Sequence, residues 1–427
     1  MSLNLYELHG NHNLDKKVKY DLVVYGATGF TGRLVVDYII REYGIINKEF
    51  TWAIAGRNKD TLTGIVSSYK ASGAKLKNIP IIIADSNDPL SLDLMTSICR
   101  IIISTAGPYM KYGLPLVSSC VKNNTHYCDL TGEVPFIKNS ILNYDAEAKK
   151  NKTKIVHCCG FDSLPSDIGV HLLQINSVNN YKIPCNDITT YASTKGGLSG
   201  GTIASMINIF EHMKSNPDLK NEYKSVYCLD NTNTETISIS SKNLKRIKWD
   251  KEENGWLCPF IMSGINSRIV YKTNSISDFN YGTDFMYSEV AYFKKGLSGF
   301  VNVLKLYFSL LLLRISLTFS PLLSVLNYFY FPNPGNGPDK NTMKTGFFKM
   351  RIKGTTPNKQ ISQVTVLGNS DPGYSATAKM ITESALSILL NKDIIPESHG
   401  VLTPASALGL NVVDRLKDKG ITFNVDR

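Results

Sequence analysis

Six short apolar runs recur through the first 165 residues of this chain, at 20–25 (YDLVVY), 51–55 (TWAIA), 79–84 (IPIIIA), 101–104 (IIIS), 126–130 and 154–158 (KIVHC). Segments of helical character separate them, at 30–43, 58–70, 89–99, 112–123 and 141–151. A strand that is apolar at nearly every position must be covered on both faces. Helical crossovers between such strands place them parallel in one sheet. The alternation therefore predicts an α/β fold, with a doubly wound parallel sheet over 18–165. Residues 1–17 read as a short, mobile tail without the apolar core of a secretory leader or an Arg-rich transit pattern.

The first run continues into "YGATGFTGR", with Gly26, Gly29 and Gly32 opening the first helical segment. Glycine serves three purposes in such a turn: the sharp reversal, the approach of a pyrophosphate to bare backbone, and close helix–strand packing. The helix N-terminus then offers free N–H groups to the anion. This context predicts a Rossmann dinucleotide site built on Gly26, Thr28, Gly29, Phe30, Thr31 and Gly32. The second run ends "AIAGRN", placing Gly56 and Arg57 where an NAD site carries an acid. Arginine pairs with a 2′-phosphate that an acid would repel, so Arg57, with Asn58, predicts NADPH in preference to NADH. Asp85, ending the third run, is expected near the adenine. Thr105, Ala106, Gly107 and Pro108, after the fourth, are expected near the nicotinamide.

Beyond residue 165 the pattern changes. A strand is expected at 188–194, then the loop "KGGLSGGT" and a helix from about 201 to 213. Polar alternating segments follow at 235–241, 283–293, 345–353 and 361–367, the last two flanking a hairpin loop. Residues 166–370 are thus expected to form a second α+β domain with a mixed or antiparallel sheet, the place for the substrate and for a homodimer contact. Residues 371–427 read as mostly helical, packing back on the first domain.

Within the second domain, 300–332 stands apart for "LYFSLLLLRISLTFSPLLSVLNYFYF" at 306–331. The length suffices to cross a bilayer, but a charge such as Arg314 near the centre costs about 3 kcal/mol. Three readings stay open: a helical hairpin bent at Pro321 on a membrane surface, two short buried helices and, disfavoured by that charge, a true membrane span.

The net charge of +11 favours anionic partners, yet no block of Lys and Arg forms a nucleic-acid arm, so no nucleic-acid partner is expected. The eight cysteines include no C-x-x-C pair and predict buried thiols in an intracellular, reducing setting. No His, Cys or acidic cluster has metal-ligand spacing. The proton donor is not evident. Tyr109 and Asp162, at two strand ends, are candidates, as is the second glycine loop. His126 and His157 lie in apolar strands and read as core residues. The single Y-x-x-x-K, Tyr191 to Lys195, falls on a strand, where four residues span roughly 13 Å, and so does not form the neighbouring pair of a helix.

The motifs "YGATGFTGR", "WAIAGRN", "STAGPYMKYG", "HYCDLTGE", "CCGFDSLPSDIG", "GGLSGGT" and "DPGYSATAKMITESAL…GVLTPASALG", in this order over nearly the whole chain, resemble the saccharopine dehydrogenase-like oxidoreductases. The resemblance implies a Rossmann domain, a second domain with a mixed sheet, and oxidoreductase chemistry. It also implies lipid droplets or other membranes as the setting, and a relation to bacterial enoyl reductases of complex-lipid (glycolipid) synthesis. Saccharopine turnover itself is disfavoured, because a small, multiply charged amino acid suits the apolar 306–331 segment poorly. The expected function is an NAD(P)H-dependent reductase of a hydrophobic or lipid-linked carbonyl or enoyl compound. The alternative is a non-catalytic nucleotide-binding protein of a lipid surface.

Overall fold

The computed structural model describes residues 18–71, 79–197, 199–216, 223, 225–230, 243–330, 332 and 335–426. The expected tail 1–17 and the strand expected at 235–241 lie outside them. The strands, in chain order, are β1 (Tyr20–Tyr25), β2 (Trp52–Gly56), β3 (Ile81–Ile83), β4 (Cys99–Ser104), β5 (His126–Asp129) and β6 (Lys154–Val156). They continue with β7 (Asp187–Lys195), β8 (Lys248–Asp250), β9 (Gly255–Pro259) and β10 (Met286–Lys294). The last are β11 (Phe347–Thr355), β12 (Ile361–Gly368), β13 (Gly400–Leu402) and β14 (Ile421–Val425).

The fold is α/β, with one parallel and one mixed sheet. The first runs β13-β6-β5-β4-β1-β2-β3, every pair parallel. Its centre is dry: Val23 of β1 lies between Ala53 of β2 and Ile102 of β4, all fully buried. Coverage on both faces explains why these runs lack polar alternation. The helix Phe30–Tyr43, directly after β1, turns Val35, Val36 and Ile39 onto the sheet. The second sheet runs β14-β12-β11-β7-β10-β9-β8, with β7 and β10 parallel and the other pairs antiparallel. The hairpin expected around 354–360 joins β11 to β12.

Two expectations need correction. Residues 371–427 do form helices, Thr377–Leu390, Pro404–Leu408 and Asn411–Lys417, but also one strand for each sheet, β13 beside β6 and β14 beside β12. A three-residue strand such as β13 is too short for any period to show. The apolar segment forms two helices, Leu297–Thr318 and Ser320–Phe329, broken at Phe319, with Pro321 in the first turn of the second. The first is not a buried helix. Only Val303 and Ser316 are enclosed, while Phe308, Leu311, Leu312 and Ile315 are exposed. By length and composition alone it could cross a membrane.

Candidate functional site

Strand order reverses between β1 and β4, so the loops leaving their C-terminal ends diverge and open a crevice. The glycine loop occupies it. Gly26 has φ +82°, and a Cβ there would lie 2.9 Å from both the Ala106 nitrogen and Thr105 Oγ1. A Cβ on Gly32 would come within 2.2 Å of the Gly26 carbonyl oxygen, so helix and turn fit only without side chains. Thr105 locks the arrangement, its hydroxyl lying 3.1 Å from the carbonyls of both Tyr25 and Gly26. The Gly29 N–H donates to the Gly26 carbonyl, closing the turn. No side chain caps the helix Phe30–Tyr43 and no acid stands in its first turn. That uncapped N-terminus and its partial positive charge suit a phosphate. The bare cradle fits a dinucleotide.

Arg57 stands exposed just past β2 and forms no ion pair among the described residues. Asn58 is otherwise engaged, its side-chain oxygen accepting from the Thr61 N–H at 2.9 Å. Asp85 accepts from the Asn87 N–H within its own turn. The adjacent Ser86 hydroxyl lies 2.7 Å from that of Tyr25. Thr28 offers its carbonyl to Arg33 Nε.

The inner half opens into a cavity of about 800 Å³. Gly29, Phe30, Thr31, Thr105, Gly107 and Pro108 line it beside the crevice. Further in, one side of its wall is apolar: Met206, Ile209, Phe210 and Met213 of the helix Gly200–Ser215, and Leu313 and Leu317 of the long exposed helix. The cavity therefore joins the glycine loop to the apolar segment.

Both proton-donor candidates line this cavity. Tyr109 is committed elsewhere: its hydroxyl donates to the Ser104 carbonyl at 3.0 Å and accepts from the Leu130 N–H at 3.3 Å. Burial also pushes its phenol well above the ordinary range. Asp162 is different. Burial, aided by the nearby Asp129 charge, lifts its carboxyl to about 7. A carboxyl poised there can hold and release a proton near neutrality.

The second glycine loop has a supporting role. Asp371 accepts from the N–H groups of Gly197 and Tyr374, and the Tyr374 hydroxyl holds the Ser199 N–H and lies 3.0 Å from Thr202 Oγ1. Tyr374 also packs edge-on against Phe30, with ring centroids 5.2 Å apart. The C-terminal segment, tied to the second glycine loop, thus braces the first. His157 is a core residue, 2.7 Å from Asp129 and 2.9 Å from Ser140. His126 accepts from the Lys154 N–H. Tyr191 and Lys195 lie on β7, away from the cavity lining, with Tyr191 stacked under Arg351.

Two residues of the cavity are not singled out in the sequence. Glu133, fully buried, accepts from the Tyr109 and Met110 N–H groups at 3.0 and 2.8 Å and from Ser205 Oγ at 2.7 Å. It thereby caps the helix Tyr109–Lys122 and ties it to the second domain. Only its place after β5, before "VP", hinted at a helix-end role, and for the wrong helix. Arg268, on the helix Ser263–Ile276, had no hint at all.

Residues 22–156 match the saccharopine dehydrogenase NADP-binding domain. A Mycobacterium tuberculosis protein provisionally named a trans-acting enoyl reductase is 32% identical over 422 residues, covering 96% of this chain and 98% of that one. A trans-acting enoyl reductase of the same organism is 30% identical over 427 residues, with the same coverage. Among solved structures, apo saccharopine dehydrogenase (L-Glu forming) from Saccharomyces cerevisiae superposes with a TM-score of 0.50 at 14% identity, covering 96% of this chain and 99% of that one. That likeness concerns the fold. With full-length relatives above the identity at which family is secure, and an NADP-binding domain over the crevice, the chain belongs to the saccharopine dehydrogenase-like oxidoreductases.

Proposed function

We propose that the protein is an NADPH-dependent reductase of a hydrophobic, lipid-linked enoyl or carbonyl compound, working at a membrane or lipid-droplet surface. The observation that carries this reading is the single cavity running from the glycine loop to the apolar helix Leu297–Thr318. The name shared by the mycobacterial relatives supports the enoyl half of the reading.

NADPH, when bound, supplies the hydride. The chain's residues do the rest. The uncapped helix end and the bare Gly26–Gly32 turn hold the pyrophosphate, and Arg57, without an ion-pair partner among the described residues, takes the 2′-phosphate. Thr105 fixes the loop through two backbone carbonyls. The apolar wall excludes water and aligns the chain of the substrate. Asp162, held neutral up to about pH 7 by burial, donates the proton that completes reduction.

Titrating the protein with each nucleotide tests the cofactor half. NADPH should bind at least tenfold more tightly than NADH, a difference of about 1.4 kcal/mol, and Arg57→Ala should erase it. Equal affinities in the unaltered protein would end that assignment. Incubation with NADPH and unsaturated lipid extracts, followed by mass spectrometry, should reveal products heavier by two hydrogens. Consumption of no NADPH with any extract would favour a non-catalytic lipid-surface protein.

A further inference from the structure

Among the described residues lining the cavity, Arg268 is the one with a permanent positive charge. Its Nη1 donates to the Gly264 carbonyl and its Nη2 to the Tyr223 carbonyl, both neutral acceptors. The Nε–H is buried and meets no acceptor, and no carboxylate pairs with the guanidinium among the described residues. One turn further along the same helix, Lys272 shows the contrast, with Asp230 as counter-ion at 3.8 Å. The two acids on the cavity wall do not compensate Arg268. Glu133 spends its oxygens on Tyr109, Met110 and Ser205. Burial holds Asp162 towards its neutral form. Arg268 is half-buried with its Nε–H enclosed and unmet, and a wholly neutral substrate would leave this guanidinium without a counter-ion.

We propose that Arg268 anchors an anionic group of the substrate, a carboxylate or a phosphate, so that the cavity selects acidic amphiphiles over neutral lipids. The proposal rests on the cavity being the substrate site, as argued above, and narrows the substrate class. A guanidinium presents planar donors that match both oxyanions, where an ammonium offers a point charge. The chain of such an amphiphile lies against Met206, Ile209, Phe210 and Met213.

Calorimetric titration of the full chain with dodecanoate, dodecyl phosphate and dodecanol, all below their micellar concentrations, tests this without turnover. Dodecanoate, dodecyl phosphate or both should bind about tenfold more tightly than dodecanol, and the tighter of the two names the acidic group. Arg268→Gln should abolish that margin by weakening the anions alone, leaving dodecanol and NADPH binding unchanged. Arg268→Lys should retain part of the margin. Equal binding of acid and alcohol by the unaltered protein overturns the anchor while leaving the reductase reading intact, and needs no variant to fold. An undiminished margin in a folded Arg268→Gln protein overturns it too. Failure of all three amphiphiles to bind overturns the anchor together with the substrate cavity, and leaves NADPH binding to be judged separately.

Discussion

Asp162 concentrates the chemistry of the site in one carboxyl. Its folded-state value is raised from 3.8 to about 7, chiefly by burial and then by the Asp129 charge. The fold therefore favours the neutral acid. The resulting stability is complete below about pH 4 and lost as pH rises through about 7. Two measurements follow from the same sign. Between pH 6 and pH 8 the unaltered protein should lose melting temperature relative to Asp162→Asn, which has nothing to ionise there. Turnover of the reductase should fall over the same interval, and the residual rate of Asp162→Asn should not. A flat melting difference would mean that Asp162 titrates as an ordinary surface acid. Glu133, on the wall of the same cavity, shows how context divides like residues: fully buried where Asp162 is half-buried, it is saturated with two N–H groups and a hydroxyl, and works as a helix cap.

At the scale of elements, the helix Leu297–Thr318 is the anomaly. A helix apolar on all sides belongs in a core, a membrane or a partner. Here most of one is exposed, Phe308 by 60% and Leu312 by 45%, while Leu313 and Leu317 reach the cavity. Replacing Phe308 and Leu312 together by Ser should lower co-sedimentation with phospholipid vesicles about tenfold or more, since each buried large apolar side chain contributes roughly 1.5–3 kcal/mol. Folding stability should shift by no more than about 0.5 kcal/mol per substitution, as for other exposed sites. Undiminished sedimentation would remove this helix from the lipid contact. The sequence displayed the length and apolarity of this segment and the break near Pro321. It did not display exposure, because an apolar helix reads the same whether protein or lipid covers it.

At the scale of the molecule, the two sheets are joined by the C-terminal residues, which close one edge of each. Glu383 is the fastening. Fully buried, its Oε1 accepts from the hydroxyls of Tyr38 and Tyr43, each at 2.6 Å, and its Oε2 pairs with Arg415 Nε at 2.8 Å. The helices Phe30–Tyr43, Thr377–Leu390 and Asn411–Lys417 meet at this one carboxylate. Glu383→Ala would strand the Tyr38 hydroxyl and take the carboxylate from Arg415, which would keep only Asn391 and Tyr43, and should cost about 3–5 kcal/mol in denaturant unfolding. Glu383→Gln, which keeps the hydrogen-bonding shape, should cost less. A loss below about 1 kcal/mol for Glu383→Ala would show the junction to be solvated rather than closed.

Legible in the residues alone were the alternating α/β frame, the glycine turn, the helix that follows it and the hairpin of the second sheet. Each is written in neighbouring residues: apolar periodicity, the spacing of Gly26, Gly29 and Gly32, and a loop between two alternating runs. The tertiary fold was needed to show that the Tyr109 hydroxyl is spent on backbone while Asp162 stays poised, that Glu133 caps a helix 24 residues upstream, and that Arg268 faces the cavity with no carboxylate partner among the described residues. It also placed β13 and β14 at the edges of two different sheets. The physical reason is the same in each case. Backbone preference is local, whereas burial, charge pairing and hydrogen-bond saturation depend on which distant segments the fold brings within a few ångströms.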